Sequence, residues 1–280
     1  MDWRNLGQRV AVGVIFIPVI LGASWYGRHA FLFLLEVIIG VGLIEFYTLT
    51  KQKNIHAHRE LGILGGLALA LLIYAEHSDK LWLLFSGLLV VILLTELFRK
   101  PEPHNSPLLN VAATIFGVAY VAGLLSFLML IRQLPVANNG DYAHAGTWLV
   151  MIFVSVWVCD TAAYFVGLGF GKHKLYERVS PKKTWEGAIG GLVFSVLAAL
   201  ACQATFVKGL RMEDAAVIGL LAGTVGQMSD LVESLFKRDA GMKDSSVLIP
   251  GHGGMLDRFD SEMLVAPLVY FYLLAVTPVA

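Results

Sequence analysis

Hydrophobic residues along the chain form long runs that are separated by short polar segments. A membrane-spanning helix needs about 20 mostly apolar residues. The runs that approach this length are 10–26, 30–50, 61–75, 81–97, 108–131, 147–170, 186–207, 213–236 and 262–280. None shows the alternation of apolar and polar residues that is typical of transmembrane β-barrel strands. Because backbone groups in hydrocarbon must satisfy their own hydrogen bonds, the pattern predicts an all-α polytopic membrane protein with about nine transmembrane helices.

A polar break rich in proline, residues 101–107, divides these runs. It predicts an N-terminal scaffold of about four helices, residues 1–107, and a C-terminal region of about five helices, residues 108–280. Hydrophobic residues make up 57% of the chain and charged residues 15%, against about 45–50% and 25% in soluble domains. Cys159 and Cys202 fall inside apolar runs, so we expect buried free thiols rather than a disulfide framework.

Basic residues are concentrated in alternate loops. Cytoplasmic loops of membrane proteins are rich in Lys and Arg. If the N-terminus is cytoplasmic, sixteen of the 21 Lys and Arg residues fall on the cytoplasmic side. The sequence therefore predicts a cytoplasmic N-terminus, and it places the two most basic loops, 169–187 and 237–260, in the cytoplasm.

Five carboxylates lie within the apolar runs: Glu36, Glu45, Asp160, Asp230 and Glu233. Acids inside a bilayer are costly, so each is a candidate functional residue. Glu36 and Glu45 have no clustered partners, and for them we favour structural pairing with a neighbouring helix. Asp160 precedes a basic loop and shares a helix face with Tyr164.

A second polar stripe is formed by Asp230, Glu233, Ser234 and Lys237, whose spacing places them on one face of a helix. Two interpretations stay open. The stripe is either an internal salt bridge that makes the helix end soluble, or a polar wall that leads into the following loop. The second interpretation is favoured because the loop that follows carries further chemistry.

That loop ends in IPGHGGMLDRFD, residues 249–260. Its glycines allow a close approach of the backbone to a ligand, and clustered carboxylates with phosphate-binding cations suit Mg²⁺. Zinc is disfavoured because His252 has no further His or Cys beside it. The pattern indicates a cytoplasm-facing, metal-assisted site that handles phosphate groups at a membrane surface.

Residues 234–260 resemble the signature of the CDP-diacylglycerol synthases, also called phosphatidate cytidylyltransferases, without a mismatch. Asp160-Thr-Ala-Ala-Tyr164 and the segment from Ser180 to Gly187 are also similar to that family. The resemblance is clear from Asp160 to Asp260 and is only a shared hydropathy pattern before that. Family members often carry Gly in place of Ala162, a basic residue in place of Leu168 and Gly in place of Ser229.

The resemblance implies a reaction between CTP and phosphatidate that gives CDP-diacylglycerol and pyrophosphate. It implies Mg²⁺ as the cofactor, held by Asp230 and Asp257 with Asp260 and Asp160 behind them, and it leaves a second metal ion open. The implied catalytic residues are Asp230, Ser234, Lys237, Arg238, Lys243, Asp244, His252, Asp257, Arg258 and Asp260. The implied substrate-binding residues are Asp160, Tyr164, Lys172, Ser180, Lys182, Lys183, Thr184, Glu186, Gly253 and Gly254. The expected partners are the bilayer and a second copy in a homodimer, with no nucleic acid, and the expected location is the cell inner membrane.

Two other functions compete with this interpretation. A transporter of a phosphorylated or anionic substrate would carry its polar residues near the membrane midplane, in paired repeats. Here the polar residues crowd toward one face, and no paired halves are evident. A CDP-alcohol phosphotransferase would carry a D-G-x-x-A-R motif, which this sequence lacks.

Overall fold

The computed structural model describes residues 3–100, 106–137, 142–246 and 253–277, and the side chains of 13–100, 106–134, 142–246 and 253–277. Helices dominate these ranges. They are α1 (Trp3–Tyr26), α2 (Arg28–Gln52), α3 (Arg59–Tyr74), α4 (Leu81–Leu97), α5 (Pro107–Gly117), α6 (Leu124–Ala137), α7 (Tyr142–Phe170), α8 (Trp185–Thr205), α9 (Met212–Asp239) and α10 (Leu256–Val276). A single π-helical turn, Val118–Gly123, joins α5 to α6 in one continuous rod.

The predicted all-α polytopic membrane fold is confirmed. Seven helical segments of the described chain are long and apolar enough to cross a membrane. The other two predicted spans are shorter: α3 has 16 residues, and the described apolar part of α1 is Gly13–Tyr26. The predicted count of about nine spans is therefore not confirmed.

The basic loop after α7 contains a small β-hairpin that the hydrophobic pattern did not predict. Strand β1 (Lys174–Tyr176) pairs antiparallel with β2 (Ser180–Thr184), and Lys174 lies opposite Thr184. The Thr184 hydroxyl then caps α8 by accepting a hydrogen bond from Gly187 N at 3.2 Å. The strand thus leads directly into the next helix, which fixes the hairpin at the end of the bundle.

The C-terminal helices α7 to α10 pack closely, each against the next. A Cβ at Gly219 would lie 2.7 Å from Val196 Cα, and a Cβ at Gly223 would lie 2.8 Å from Leu192 Cα. Small residues at such contacts let helix backbones approach, which is how helices associate in a membrane. The result is a closely packed frame around α9, the helix that carries the predicted polar stripe.

The two predicted halves of the chain contact each other. Tyr47 of α2 donates a hydrogen bond to Thr114 O at 2.8 Å, and α2 also packs against α10. The first half therefore packs directly against helices of the second half. The predicted boundary at residue 107 stays a prediction.

Candidate active site

The predicted motif residues gather at one end of the bundle. Lys183 of β2 forms an ion pair with Asp230 of α9 at 2.5 Å. The Arg238 guanidinium donates to the Val179 carbonyl at 3.4 Å, and Lys53, just after α2, pairs with Asp239 at 3.1 Å. The two motif loops therefore lie on the same side of the bundle.

The polar stripe of α9 has features of both sequence interpretations. Glu233, Ser234 and Lys237 are buried on one helix face, and Lys237 forms an ion pair with Glu233 one turn away. The same ammonium group also pairs with Asp257 at the start of α10. The stripe is thus both an internal salt bridge and a link to the following loop. Asp230 pairs with Lys183 instead of Lys237.

Asp257 accepts hydrogen bonds on both of its carboxylate oxygens. Its Oδ1 accepts from Lys237 Nζ. Its Oδ2 accepts from Gly254 N at 2.7 Å, Ser245 N at 3.0 Å and Ser245 Oγ at 2.9 Å. The first turn of a helix has unpaired N–H groups and a positive dipole end, so a carboxylate is favoured there. Protein donors therefore already hold both oxygens of this predicted metal ligand.

Two glycines make room for that carboxylate. Gly253 has φ +79°, a conformation that side chains disfavour, and a Cβ there would lie 2.7 Å from Asp257 Oδ2. A Cβ at Gly254 would overlap Ser245 Oγ. These positions need glycine because Asp257 and Ser245 occupy the space beside them. The predicted contact of these glycines with phosphate stays a prediction, and His252 and Gly251 lie outside the described residues.

Lys183 and Asp230 join the hairpin to α9. Along β2, Lys182 is exposed and Lys183 is half-buried. Asp230 also accepts from Ser234 Oγ at 3.2 Å. A predicted substrate-binding cation and a predicted metal ligand are therefore direct neighbours.

A cavity of about 190 Å³ lies between α1, α7 and α10. One wall is apolar and includes Phe16 and Ile17, whereas Asp160, Arg258 and Asp260 line the other. The Asp260 carboxylate accepts from Ser261 N at 2.6 Å, and its carbonyl accepts from Ser229 Oγ. Ser229, where the resembled family often has glycine, thus supports the backbone of a predicted metal ligand.

Most of the remaining predicted residues are exposed: Lys172, Lys182, Lys243, Asp244, Arg258 and Tyr164. Ser180 is half-buried. Glu186 accepts hydrogen bonds from Lys172 N at 3.1 Å and His173 N at 3.2 Å. Glu186 thereby holds the turn before β1, so the observed contacts of this predicted substrate-binding residue are with the loop.

The side chains near the cavity offer the kind of ligand atoms that a magnesium ion prefers. The carboxylates of Asp160, Asp230 and Asp260 lie near enough to influence one another electrostatically, and hard oxygen donors suit Mg²⁺. Among the residues that the structure describes, no group of three His, Cys, Asp or Glu side chains is placed to hold a metal ion alone. Mg²⁺ commonly binds one or two carboxylates together with substrate phosphates, and such a site does not require a complete protein cage.

Sequence reasoning missed one acid near the site, Glu262. Glu262 is buried, lines the cavity, and has two carboxylate oxygens without a hydrogen bond among the described residues. It was counted only as the first residue of an apolar run, although the intramembrane-acid criterion applies to it. For Glu45 the sequence analysis favours structural pairing with a neighbouring helix, and the structure shows that it accepts hydrogen bonds from Leu256 N at the start of α10 and from Ser246 Oγ of the preceding loop.

Comparison with known proteins places the chain in a family. The profile of the "Cytidylyltransferase family" matches residues 7–276. A Synechocystis protein named phosphatidate cytidylyltransferase is 32% identical over 99% of this chain and 97% of its own length. A protein of the same name from Staphylococcus haemolyticus is 32% identical over 98% of this chain and 99% of its own length. Another from Bacillus subtilis is 30% identical over 96% of this chain and 98% of its own length. A match of this extent shows that the chain belongs to the cytidylyltransferase family.

Proposed function

We propose that this chain transfers the cytidylyl group of CTP to phosphatidate, giving CDP-diacylglycerol and pyrophosphate in a Mg²⁺-dependent reaction. The main support for this proposal is that the residues resembling the family signature meet at one end of a bundle of apolar helices. Relatives of similar length carry the name phosphatidate cytidylyltransferase.

The reaction needs little proton transfer. A phosphate oxygen of phosphatidate forms a bond to the α-phosphorus of CTP, and the bond from that phosphorus to the β-phosphate bridging oxygen breaks. The nucleophile is already an anion at neutral pH, so the main obstacle is repulsion between it and the triphosphate. Positioning and charge stabilisation therefore carry the catalysis.

We propose that cations near the site bind the phosphate groups. Lys243 and Arg258 are exposed beside the site, and Lys183 reaches inward from the hairpin. Lys237 differs because two carboxylates already neutralise it in a buried position. Its contacts favour a role in orienting Asp257 over a direct contact with phosphate.

Asp230, Asp260 and Asp160 are the residues that we propose to hold Mg²⁺, with Asp257 as a further predicted ligand. The ion would supply charge neutralisation at the α-phosphate and the leaving pyrophosphate. Ser234, which donates to Asp230, would keep that carboxylate oriented.

The location of the site suits a lipid substrate. The motif loops lie beside the ends of apolar helices, and an apolar wall with Phe16 and Ile17 adjoins the polar part of the cavity. The acyl chains of phosphatidate would stay in the bilayer while its headgroup reaches the site. The charge bias of the loops supports a cytoplasm-facing site in the cell inner membrane, and we further propose a homodimer.

A transporter is disfavoured. Its substrate residues would lie near the membrane midplane on broken helices, whereas Asp257 lies in the first turn of α10 and Asp230 pairs with Lys183 of the hairpin. Membership of the cytidylyltransferase family also favours the enzyme.

The test is incorporation of label from CTP into lipid by the purified protein. We expect the label to enter the lipid fraction only with phosphatidate present, with one pyrophosphate released per lipid formed. A metal chelator should stop the reaction, and added Mg²⁺ should restore it. Purified, folded protein that forms no labelled lipid with Mg²⁺ present would contradict the proposal.

A further inference from the structure

Glu45 of α2 is a buried carboxylate that contacts the site loop from the opposite half of the chain. Its side chain is 2% exposed. It accepts from Ser245 Oγ at 2.9 Å, Ser246 Oγ at 2.5 Å, Met255 N at 3.0 Å and Leu256 N at 2.8 Å. Four donors converge on this one side chain, and all of them are at least 200 positions away in sequence.

These donors lie on both sides of residues 247–252. Ser245 and Ser246 precede that segment, and Met255 and Leu256 follow it. One carboxylate therefore fixes the separation of the two ends of the loop. It also satisfies two N–H groups at the start of α10, which would otherwise lack partners within the helix.

Glu45 connects to Asp257 through a shared hydroxyl. Ser245 Oγ lies 2.9 Å from Glu45 Oε2 and 2.9 Å from Asp257 Oδ2. A hydroxyl has one proton, so it donates to one carboxylate at a time. The two acids thus share Ser245 and define its position from opposite sides.

The same carboxylate helps to explain the glycine at position 254. A Cβ on Gly254 would lie 2.5 Å from Glu45 Oε2, so the backbone of the loop passes directly over this side chain. The amide of Gly254 points to Asp257. Displacement of Glu45 would therefore change the backbone that holds Asp257.

We infer that Glu45 is a positioning residue for the site. It holds the start of α10 and the Ser245–Ser246 turn, so that Asp257 and Arg258 project into the active site at fixed places. This inference rests on the proposed function, and it assigns part of the catalytic geometry to a helix of the N-terminal half.

The test compares Glu45→Gln with Glu36→Gln. Glu36 is also a carboxylate of α2, but it makes no hydrogen bond or ion pair among the described residues. Gln keeps the length of Glu45 but presents an NH₂ donor to groups that are themselves donors. A third variant, Ser246→Ala, removes one of the four hydrogen bonds that Glu45 accepts.

Two readouts separate positioning from general stability. We expect Glu45→Gln to lower kcat about a hundredfold, the order that follows from a small displacement of reacting groups, with KM for CTP within threefold of wild type. Hydrogen exchange should accelerate at the amides of residues 253–258 and stay unchanged in α8 and α9. Glu36→Gln should leave both readouts unchanged, and Ser246→Ala should give the same pattern on a smaller scale.

Three results would overturn the inference: a kcat for Glu45→Gln within threefold of wild type, faster exchange spread over the whole bundle, or equal effects from Glu36→Gln. If Glu45→Gln does not fold, Ser246→Ala decides the matter, and the absence of local exchange in that variant would count against positioning. If wild-type protein makes no CDP-diacylglycerol, the proposed function fails, while the exchange data still test whether Glu45 fixes the loop.

Discussion

Replacement of Asp257 by asparagine tests the centre of the proposed site. Asp257 accepts from Lys237 on one oxygen and from three donors on the other. Asparagine has the same shape but offers only one acceptor oxygen, and its NH₂ group must face either the Lys237 ammonium or the loop donors. Both orientations place donors against donors.

The size of the effect follows from the contacts that are lost. A hydrogen bond to a charged group contributes about 1.5–3 kcal/mol. Breaking a buried ion pair can cost about 3–5 kcal/mol, but Lys237 keeps Glu233 as a partner, so the lower range applies. A loss of about 2–3 kcal/mol in the transition state corresponds to a rate roughly 30- to 150-fold lower. If Asp257 also binds Mg²⁺, turnover should be abolished.

The assay is lipid labelling by purified Asp257→Asn over a range of Mg²⁺ concentrations, together with its thermal unfolding midpoint. Lys237→Met and the double variant complete a double-mutant cycle. A purely structural pair predicts that the double variant is more active than Lys237→Met alone. A Mg²⁺ or positioning role predicts that the double variant is no better than the worse single variant.

An Asp257→Asn enzyme that keeps more than a tenth of the wild-type rate would refute this reasoning. The carboxylate would then be neither a primary metal ligand nor a group whose hydrogen bonds the reaction requires.

Three further outcomes are expected. Lys183→Met should lower kcat about a hundredfold, as expected for a lost electrostatic group. It should change the unfolding free energy by less than about 1 kcal/mol because the pair with Asp230 is partly exposed. A wild-type rate would exclude Lys183 from the site. Gly254→Ala should lower activity and the thermal unfolding midpoint because its Cβ overlaps Ser245 Oγ. The control Gly169→Ala should change neither, because no atom lies within 4 Å of the added Cβ. Equal effects of the two substitutions would contradict the steric argument. Single cysteines at the exposed positions 177 and 243 should resist an impermeant reagent in intact cells and react in inverted vesicles, and labelling from outside would reverse the predicted orientation.

Helix positions were the most predictable part of the fold. The run 81–97 coincides with α4, and the other runs differ from the helices mainly at their ends. Hydropathy reports on contact with lipid, so it locates the middle of a span well. It fails where a helix end leaves the lipid, as at α10, which begins at Leu256 and not at 262. The charged first turn of α10 faces Lys237 and the loop donors, so its acids are stable there without contact with water.

The β-hairpin and the partners of Glu45 could not be predicted from local pattern. The strands have three and five residues, and side chains elsewhere hold the hairpin, such as Asp230 on Lys183. The contacts of Glu45 join positions that are at least 200 apart. Spacing within one element reveals which residues share a face, as it did for the stripe on α9, but it does not reveal which other element covers that face.

The charge balance at the bundle end connects the fold with the proposed chemistry. Around α9 and α10 the carboxylates are Asp160, Asp230, Glu233, Asp257, Asp260 and Glu262, whereas the cations among them are Lys183, Lys237 and Arg258. Buried charge without a partner is expensive, so these clustered carboxylates are stabilised either by protons or by further cations. A triphosphate that arrives with Mg²⁺ would bring such a cation, whereas a metal-free triphosphate would not. Under the proposed function, the acids of this end of the bundle therefore tie substrate binding to the metal.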